Sequence, residues 1–352
     1  CDYDTVDMSM PKFFETYYPP YEAAVKEGCA SVMMAFNDLS GVPCTTNEWL
    51  IQDLLRKNLG FKGVVISDAN AIKECVNHGT ALDTEDAVKQ SIAAGTEMDL
   101  GSDLYETLLE QMVLDGKVEE KYVDEAVRNI LRLKFKVGLF EKPYADVTKK
   151  ECLLCDEHRG IARDAARKSI VLLKNEDNIL PLTNTQNINV FGWASTNPCY
   201  GGTGSGALSD AYETTTLLGG LEDAGYKINT ELTDFYKAYR EDRPEVGMWA
   251  QDWTLPEPTA DSYSDELINN AKEFSDTAMV VITRVGGEGA DLPTDVSKVT
   301  YTDNSENYKD FEAGEHYLQL SQTEKDMLDL VCANFDNVVV VYNGANTMEL
   351  GF

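Results

Sequence analysis

Residues 12–145 alternate between short unbroken apolar runs and longer stretches in which apolar residues recur at helical spacing. The runs at 29–36, 63–67 and 97–100 predict buried strands, since the strands of a parallel sheet are covered on both faces. This order of strands and helices is typical of β/α units. The helical stretches lie at about 46–57, 83–95, 103–115 and 119–137.

A polar segment with Pro143 and mixed charges, residues 141–157, interrupts this pattern and is interpreted as a linker. The residues beyond it predict a second α/β unit, a three-layer sandwich with a mostly parallel sheet. We therefore expect two domains, 1–147 and 148–352, with long polar loops at 240–262 and 286–315. The predicted strands are 188–192, 226–230, 278–283 and 338–342, and the helices lie near 158–174, 212–224, 263–274 and 321–334.

The composition disfavours two classes of partner. Of the 352 residues, 30 are Lys or Arg and 61 are Asp or Glu, so the net charge is −31. A surface this acidic repels phosphodiester backbones and anionic lipids, and no apolar run approaches the roughly 18 residues of a membrane span. We expect neither nucleic acid nor a membrane as a partner, and we interpret most of the charge as a solvated surface.

The cysteines and histidines give little support to a metal or redox centre. Cys152 and Cys155 form one C-x-x-C with His158 nearby, but no second pair follows at the spacing of a structural zinc site. We therefore expect no metal and no cofactor. The scattered cysteines indicate reduced thiols, and no signal peptide is visible after Cys1, so a cytoplasmic location is expected.

Two carboxylates follow predicted strands. Asp68 comes directly after the strand 63–67, where α/β barrels place catalytic groups, although a turn or helix cap is an equally simple role. Glu288 stands between glycines after the strand 278–283, so it lies on a loop that could swing over a neighbouring site or merely be solvated. A nucleophile and a proton donor that flank a substrate are what glycoside hydrolysis requires.

A glycine-rich run, residues 201–206 (GGTGSG), lacks the Lys-Ser/Thr of a P-loop and the G-x-x-G spacing of a dinucleotide site. It is either a structural turn or a loop whose backbone and Ser205 approach a ligand closely.

The chain resembles family 3 glycoside hydrolases, the β-glucosidase-type enzymes, in several ordered segments. The family fold implies the last part of a (β/α)8 barrel followed by an α/β/α sandwich, with the active site at their junction. The resemblance implies Asp68 as nucleophile, Glu288 as acid/base, and Met33, Phe36 and Ser205 as substrate-binding residues. The segments are 31–41 (SVMMAFNDLSG), 41–72 (with GVVISDANAI), 126–140 (AVRNILRLKFKVGLF), 169–182 (SIVLLKNEDNILPL), GGTGSG and 284–291 (RVGGEGAD).

The sequence also departs from the family pattern. The resemblance covers only the last three β/α units of the barrel, so we expect the residues that grip the sugar from the earlier units to be absent from this chain. The α/β/α sandwich at 148–352 is also expected to be incomplete, because it stops early at Phe352. We expect additional polypeptide or a second copy to complete the barrel. Ala69 and Phe36 stand where many relatives have Trp and Tyr, which removes a stacking surface and a hydroxyl.

The function expected from these residues is that of a retaining exo-β-glycosidase. A β-glucosidase acting on β-linked oligosaccharides or glycosides is the leading hypothesis, and a β-xylosidase is the nearest rival. A non-catalytic fragment that binds carbohydrate or another chain is the alternative from a different class. The acid/base role requires a raised pKa at Glu288, and Asp291 is the next candidate on the same loop.

Overall fold

The computed structural model describes residues 5–183, 185–200, 204–206, 214–241, 255, 257–288, 292–299, 310–344 and 346–351. The chain forms two compact units, Cys1–Arg167 and Lys168–Phe352. The predicted domain limit at 147/148 lies before this boundary and stays a prediction. No helix within the described ranges is long and apolar enough to cross a membrane.

The first unit is a succession of strands and helices, most of which follow the predicted order. In chain order the elements are β1 (Thr5–Val6), α1 (Met10–Lys12), a π-helix (Phe13–Tyr17), α2 (Tyr18–Lys26), β2 (Ser31–Met33), β3 (Asp38–Leu39), β4 (Val42–Pro43), a second π-helix (Trp49–Asn58), β5 (Val64–Ala69), α3 (Ala71–Glu74), α4 (Thr84–Ala94), β6 (Met98–Leu100), α5 (Leu104–Leu114), α6 (Glu120–Lys136) and α7 (Asp156–Ser169, which ends just past the boundary).

The sheet of the first unit places β5 between β2 and β6, parallel to both. Val32 pairs with Val65, and Ile66 pairs with Met98. The β-branched residues of β5 suit a strand that is packed on both sides, and Val64 and Val65 are buried. The predicted β/α pattern is therefore confirmed in this unit.

Helix boundaries in the first unit follow from local sequence. The π-helix Trp49–Asn58 buries Ile51, Leu54 and Leu55, which share one face of the helix. Asp83 caps α4 by accepting a hydrogen bond from Asp86 N (2.9 Å), and α4 ends at Gly95 with φ of +105°.

Two features of the first unit lay outside the sequence-based expectation. Residues Met10–Lys26 are helical, although the prediction begins with the strand at 29–36. A proline in the first turn of α2 and Gly28 just after its end are the local signals for that helix. The observed strand β2 is shorter than predicted, because β3 and β4 pair with each other beyond it and Pro43 ends their ladder.

The second unit is an α/β unit with a parallel sheet, as predicted. Its strands lie in the order β10-β9-β7-β8, and each pair is parallel. The elements are β7 (Asn187–Phe191), α8 (Leu217–Asp223), β8 (Lys227–Ile228), α9 (Thr230–Arg240), α10 (Asp265–Phe274), β9 (Thr277–Arg284), α11 (Gln322–Asn334) and β10 (Asn337–Gly344).

The core of the second unit surrounds β7 and β9. All eight residues of β9 are buried, and Phe191 of β7 stacks edge-on against Phe335 with ring centroids 5.4 Å apart. Helices α9 and α10 pack on β7, and α11 packs on β9. The predicted elements include no helix at α9. The apolar residues Leu232, Phe235 and Tyr236 nevertheless recur at helical spacing, so the sequence contains a signal for this helix.

Candidate active site

Asp68 lies at the carboxyl end of β5, the central strand of the first sheet. It is half-buried, and its Oδ1 accepts a hydrogen bond from the adjacent Ala69 N (2.7 Å). The chain then turns sharply, because Asn70 adopts a left-handed conformation with φ of +61° before α3 begins. The residues on either side are held to β6, since Leu100 N donates to the side-chain Ser67 Oγ (2.9 Å) and Asn70 N donates to Leu100 O (2.7 Å).

Two other carboxylates near the ends of these strands have structural partners. Asp99 of β6 accepts hydrogen bonds from Ser102 Oγ and from the Leu104 backbone N (2.6 and 2.7 Å), so it caps α5. Asp38 accepts from Thr5 Oγ1 (2.8 Å) and from Gly41 N (3.0 Å). Asp68 differs from both, because its carboxylate bonds only to its neighbouring amide within the described part of the chain.

Met33 and Phe36 lie on and just after the strand that flanks β5. Met33 is exposed and pairs in register with Ile66, two residues before Asp68. Phe36 is half-buried, and its carbonyl accepts a hydrogen bond from His78 Nε2 (3.1 Å). His78 Nδ1 lies 3.8 Å from the Asp38 carboxylate, so this buried pair holds the segment after β2 to the segment after α3.

Glu288 lies on the loop after β9, against the glycine-rich turn. Its Oε2 accepts a hydrogen bond from Ser205 N (2.6 Å), so two segments that the sequence analysis selected separately lie side by side. Gly204 has φ of +78°, and a Cβ added there would lie 2.3 Å from Glu288 Cβ. Only glycine fits this contact. Asp291, the alternative on this loop, lies outside the described residues.

The pKa of Glu288 is lowered from its ordinary value. The cause is hydrogen bonding from Ser205, through its side chain first and then its backbone N–H. Glu288 is also exposed, so it lacks the burial that would favour a neutral carboxyl group. In this position Glu288 therefore does not have the raised pKa that an acid/base role requires. It would have to lose the Ser205 hydrogen bonds or become buried to acquire one.

Arg284 anchors the loop that carries Glu288. Its guanidinium forms a two-pronged ion pair with Glu324, with both N–O distances at 2.7 Å, and it also donates to the Tyr317 and Gln319 carbonyls (2.6 Å each). The loop therefore starts from a fixed point.

The second sheet changes direction next to Glu288 and Ser205. β7 and β9 are neighbours, but the chain continues from β7 to β8 at one edge of the sheet and from β9 to β10 at the other. In open α/β sheets, ligands bind outside the carboxyl ends of strands at such switch points. Glu288 follows β9, and the turn with Ser205 follows β7.

A buried carboxyl network in the second unit was missed by the sequence analysis. Glu257 accepts hydrogen bonds from Trp193 N (2.9 Å) and from Tyr263 Oη (2.7 Å), which in turn bonds to Tyr236 Oη (2.8 Å). Desolvation by burial raises the pKa of Glu257 to about 8. Its sequence surroundings, Pro256 and Pro258, give no signal of this role.

The described residues contain no group of three or more His, Cys, Asp or Glu side chains that could hold a metal ion. Cys152 is exposed and Cys155 is half-buried, and both are free thiols.

Both units match sequence models of one known family. The Glycosyl hydrolase family 3 N terminal domain matches residues 1–133, and the Glycosyl hydrolase family 3 C-terminal domain matches residues 170–352. The chain belongs to glycosyl hydrolase family 3. The resemblance stated from the sequence motifs is thereby confirmed, and with it the fold class, part of a (β/α)8 barrel followed by an α/β/α sandwich.

Individual family 3 members are similar over large parts of the chain. A periplasmic beta-glucosidase of Salmonella typhimurium is 40% identical over 260 residues, which is 68% of this chain and 34% of that protein. A beta-xylosidase of Formosa agariphila is 42% identical over 186 residues, 50% of this chain and 26% of that protein. The chain thus spans about a third or less of these curated family members.

Solved family 3 structures share the fold. The beta-glucosidase 3B of Thermotoga neapolitana in complex with alpha-D-glucose is 26% identical, with a TM-score of 0.76 over 99% of this chain and 45% of that one. The beta-glucosidase of Listeria innocua in complex with glucose is 28% identical, with a TM-score of 0.71 over 97% of this chain and 41% of that one.

The similarity to a periplasmic family 3 protein corrects one expectation. The predicted cytoplasmic location is wrong, because the relative that matches 68% of this chain is named as a periplasmic protein. Free thiols are a weak guide here for a physical reason. A chain of this size buries enough apolar surface to fold without disulfides in any compartment, so reduced cysteines do not report on location.

Proposed function

We propose that the protein is a retaining exo-β-glycosidase that hydrolyses terminal β-D-glucosyl residues by double displacement. Asp68 attacks the anomeric carbon and forms a covalent glycosyl-enzyme. Glu288 first protonates the leaving oxygen and then deprotonates the water that releases the sugar. Double displacement requires the two carboxyl groups to lie about 5–5.5 Å apart in the reacting complex.

The availability of the Asp68 carboxylate is the observation that carries this proposal. A nucleophile must present an oxygen to the substrate, and Asp38 and Asp99 use their carboxylates to hold backbone segments. Asp68 bonds only to its own neighbour among the described residues and stands at the barrel-type sheet's carboxyl end. Met33 and Phe36, on the adjacent strand segment, are proposed to contact the sugar, as is Ser205 beside Glu288.

Glu288 can act as the proton donor only after it leaves its hydrogen bonds with Ser205. Hydrogen bonds from Ser205 favour the ionised carboxylate, whereas a proton donor must hold a proton at neutral pH. Binding of a sugar would bury Glu288 and bring it near the ionised Asp68, and both effects raise a carboxyl pKa. The contact with Ser205 is therefore proposed as the resting position of a loop that moves on binding.

Mechanism-based labelling tests the nucleophile. A 2-deoxy-2-fluoro β-glucoside should label Asp68, because only a retaining nucleophile is trapped as a stable glycosyl ester. Peptide mass spectrometry locates the label. Asp68→Asn should abolish labelling and lower kcat by several orders of magnitude, whereas Asp99→Asn, which loses a helix cap on the same sheet, should still be labelled. Labelling of any other carboxylate contradicts the assignment.

Substrate dependence tests the acid/base. Glu288→Ala should cripple the hydrolysis of glucosides with poor leaving groups but spare the first step for activated aryl glucosides, which need no proton. Added azide should then restore part of the turnover by replacing the water that Glu288 no longer activates. Equal losses on both substrates without azide rescue would assign the role elsewhere, with Asp291 the next residue to replace.

Hydrolysis of β-xylosides is the second candidate activity. It is kept because a relative that is 42% identical over half of the chain is named as a beta-xylosidase. A comparison of kcat/KM on aryl β-glucoside and aryl β-xyloside decides between them. A glucoside preference supports the first proposal, and a preference for xyloside by tenfold or more replaces it.

We also propose that the first unit is covered by additional polypeptide or by a second copy of the chain. Val127, Leu131 and Phe135 form an exposed apolar stripe on α6, and Phe14 and Tyr21 are exposed near the start of the unit. Apolar surface of this extent is rare on a free monomer. A purified 352-residue chain that is monomeric and does not bind a hydrophobic dye would contradict this.

A further inference from the structure

A cavity of about 360 Å³ lies at the carboxyl ends of β7 and β8, between α8 and α9. It has walls from three segments that are far apart in sequence. Ser195 and Thr196 follow β7, Thr216 caps the start of α8, and Thr233, Asp234 and Lys237 project from α9. Its volume falls in the lower part of the range of small-molecule sites.

The hydroxyl groups of the cavity can both donate and accept hydrogen bonds. Thr196 Oγ1 donates to Trp193 O (3.0 Å) and Thr233 Oγ1 donates to Asn229 O (3.2 Å), so each keeps its lone pairs as acceptors. Thr216 Oγ1 accepts from Gly219 N (2.9 Å), so it keeps its proton as a donor. A ligand that matches this wall must itself carry groups that donate and accept, as sugar hydroxyls do.

Ser195 is the residue that points to a ligand or an ordered solvent molecule. It is only 2% exposed, and its hydroxyl has no hydrogen-bond partner within the described part of the chain. Buried hydroxyl groups are almost always satisfied, so an unpartnered one beside a cavity indicates that something binds there. By contrast, Ser275, also buried, donates to Asn187 O (2.7 Å) and accepts from Thr277 N (3.1 Å).

The charges of the cavity favour a neutral ligand over an anion. Asp234 and Glu222 line it together with Lys237, in a protein whose net charge is −31. Carboxylates accept hydrogen bonds from sugar hydroxyls but repel phosphate. Leu218 and Ile228 add an apolar surface that suits the C–H face of a sugar ring.

We propose that this cavity binds a neutral polyhydroxylated ligand the size of one sugar ring. The proposal does not depend on the proposed hydrolysis, since none of the residues that line the cavity is assigned to the reaction. It adds a carbohydrate site to the sandwich unit on the β8 side of β7, away from the switch point between β7 and β9.

Serine replacement separates a binding role from a structural one. Ser195→Ala should leave the melting temperature unchanged or higher, because it removes an unsatisfied buried hydroxyl, and should weaken glucose binding about three- to tenfold. Ser275→Ala, the matched control, should lower the melting temperature and leave glucose affinity unchanged. A Ser195→Ala variant that loses stability and keeps its glucose affinity overturns the proposal.

Calorimetric titration with D-glucose, D-xylose and inorganic phosphate identifies the site and the ligand class. Thr233→Val and Asp234→Asn, both at the edge of the cavity, should each weaken sugar binding about three- to tenfold, whereas Asp68→Asn should retain a sugar site. The proposal is overturned if the α9 variants bind glucose and xylose as tightly as the unchanged protein. It is also overturned if the protein binds phosphate and not sugar. Loss of hydrolysis or labelling concerns only Asp68 and Glu288, so the two proposals fail separately.

Discussion

The two units bury their central strands very differently. In the second unit, β9 has β7 on one side and β10 on the other, and all eight of its residues are buried. In the first unit, β5 also lies between two strands, but only three of its six residues are buried. Its neighbours β2 and β6 each expose two of their three residues. Both central strands carry β-branched residues, so the contrast comes from what packs against the sheets.

The cores differ in the same sense. The second unit has one continuous core that includes Phe191, Val280 and Met327. The first unit has two smaller cores, one around Ile92 and one around Ile51. A parallel sheet needs cover on both faces, and the edge strands of the first sheet lack part of that cover. Strand propensity alone therefore does not report how well a strand is covered.

The largest effect should come from the buried ion pair of the second unit. Arg284 and Glu324 are 0% and 2% exposed, and the guanidinium also bonds to two distant carbonyls. Arg284→Met should lower the free energy of unfolding by about 5 kcal/mol, the upper end for a broken buried pair, because both carbonyls lose their donor and the buried Glu324 carboxylate is left with the hydrogen bond from Ser321 N. Urea denaturation of the second unit measures this.

The first unit offers a matched pair. Arg56 and Glu97 are 2.9 Å apart but Arg56 is partly exposed, and Glu97 also accepts from Val65 N (3.0 Å) and Asn129 Nδ2 (2.5 Å). Arg56 also donates to the Gly63 carbonyl (2.6 Å), which would lose this bond. Arg56→Met should nevertheless cost less, about 3 kcal/mol, since Glu97 keeps two partners and the site is partly exposed. An Arg56→Met loss equal to or larger than that of Arg284→Met would contradict the view that the second unit is the better enclosed.

A pair of aromatic replacements tests the same contrast at the level of packing. Phe191→Ala should cost about 3–5 kcal/mol, because it leaves a cavity against Phe335 in a closed core. Phe135 also stacks on an aromatic ring, Phe140, at 4.3 Å, but it is 61% exposed. Phe135→Ala should change the stability of the isolated chain by less than about 1 kcal/mol.

The same Phe135 variant tests whether the apolar face is an interface. If additional polypeptide or a second copy covers α6, Phe135→Ala should weaken that association and change the elution volume of the assembly. If Phe135→Ala changes neither stability nor assembly, the exposed side of α6 is solvent-exposed surface. The proposal that another polypeptide covers it would then be wrong.

Much of the fold was predictable from the sequence because local patterns determine it. The run at 278–283 is apolar and β-branched, and it forms the core of β9, Thr277–Arg284. The stripe on 119–137 predicts α6, Glu120–Lys136, to within one residue at each end. The stripe alone, however, does not say that Val127 and Phe135 are exposed, since that depends on segments elsewhere in the protein.

The candidate site was predictable in part. Asp68 and Glu288 stand out because each follows an apolar strand run, and the strand ends are where α/β folds place functional groups. The contact between Glu288 and Ser205 joins residues 83 positions apart, so no local pattern reveals it. Glu257 and Ser195 escaped notice for the same reason, because burial and hydrogen bonding depend on distant partners.

A pH dependence of the second unit provides a further contrast between the two units. Within the described part of the chain, Glu257 is buried with no cationic partner, and desolvation raises its pKa to about 8 in the folded state. Between its unfolded pKa, about 4.3, and this value, the folded state holds a proton that the unfolded state has lost. Stability must therefore fall as pH rises through this window and level off above it.

A rise from pH 6 to pH 9 should lower the free energy of unfolding of the second unit by about 2–3 kcal/mol from this group. Glu257→Gln should remove that part of the dependence, because an amide does not titrate and can still accept a hydrogen bond from Trp193 N or Tyr263 Oη. Glu97 in the first unit provides the contrast. Burial raises its pKa as well, but Arg56 and two hydrogen bonds favour its charged form. Urea midpoints of both units at the two pH values decide the matter. An equal decline in both units, or a decline that survives in Glu257→Gln, would show that Glu257 is not what makes the closed core sensitive to alkaline pH.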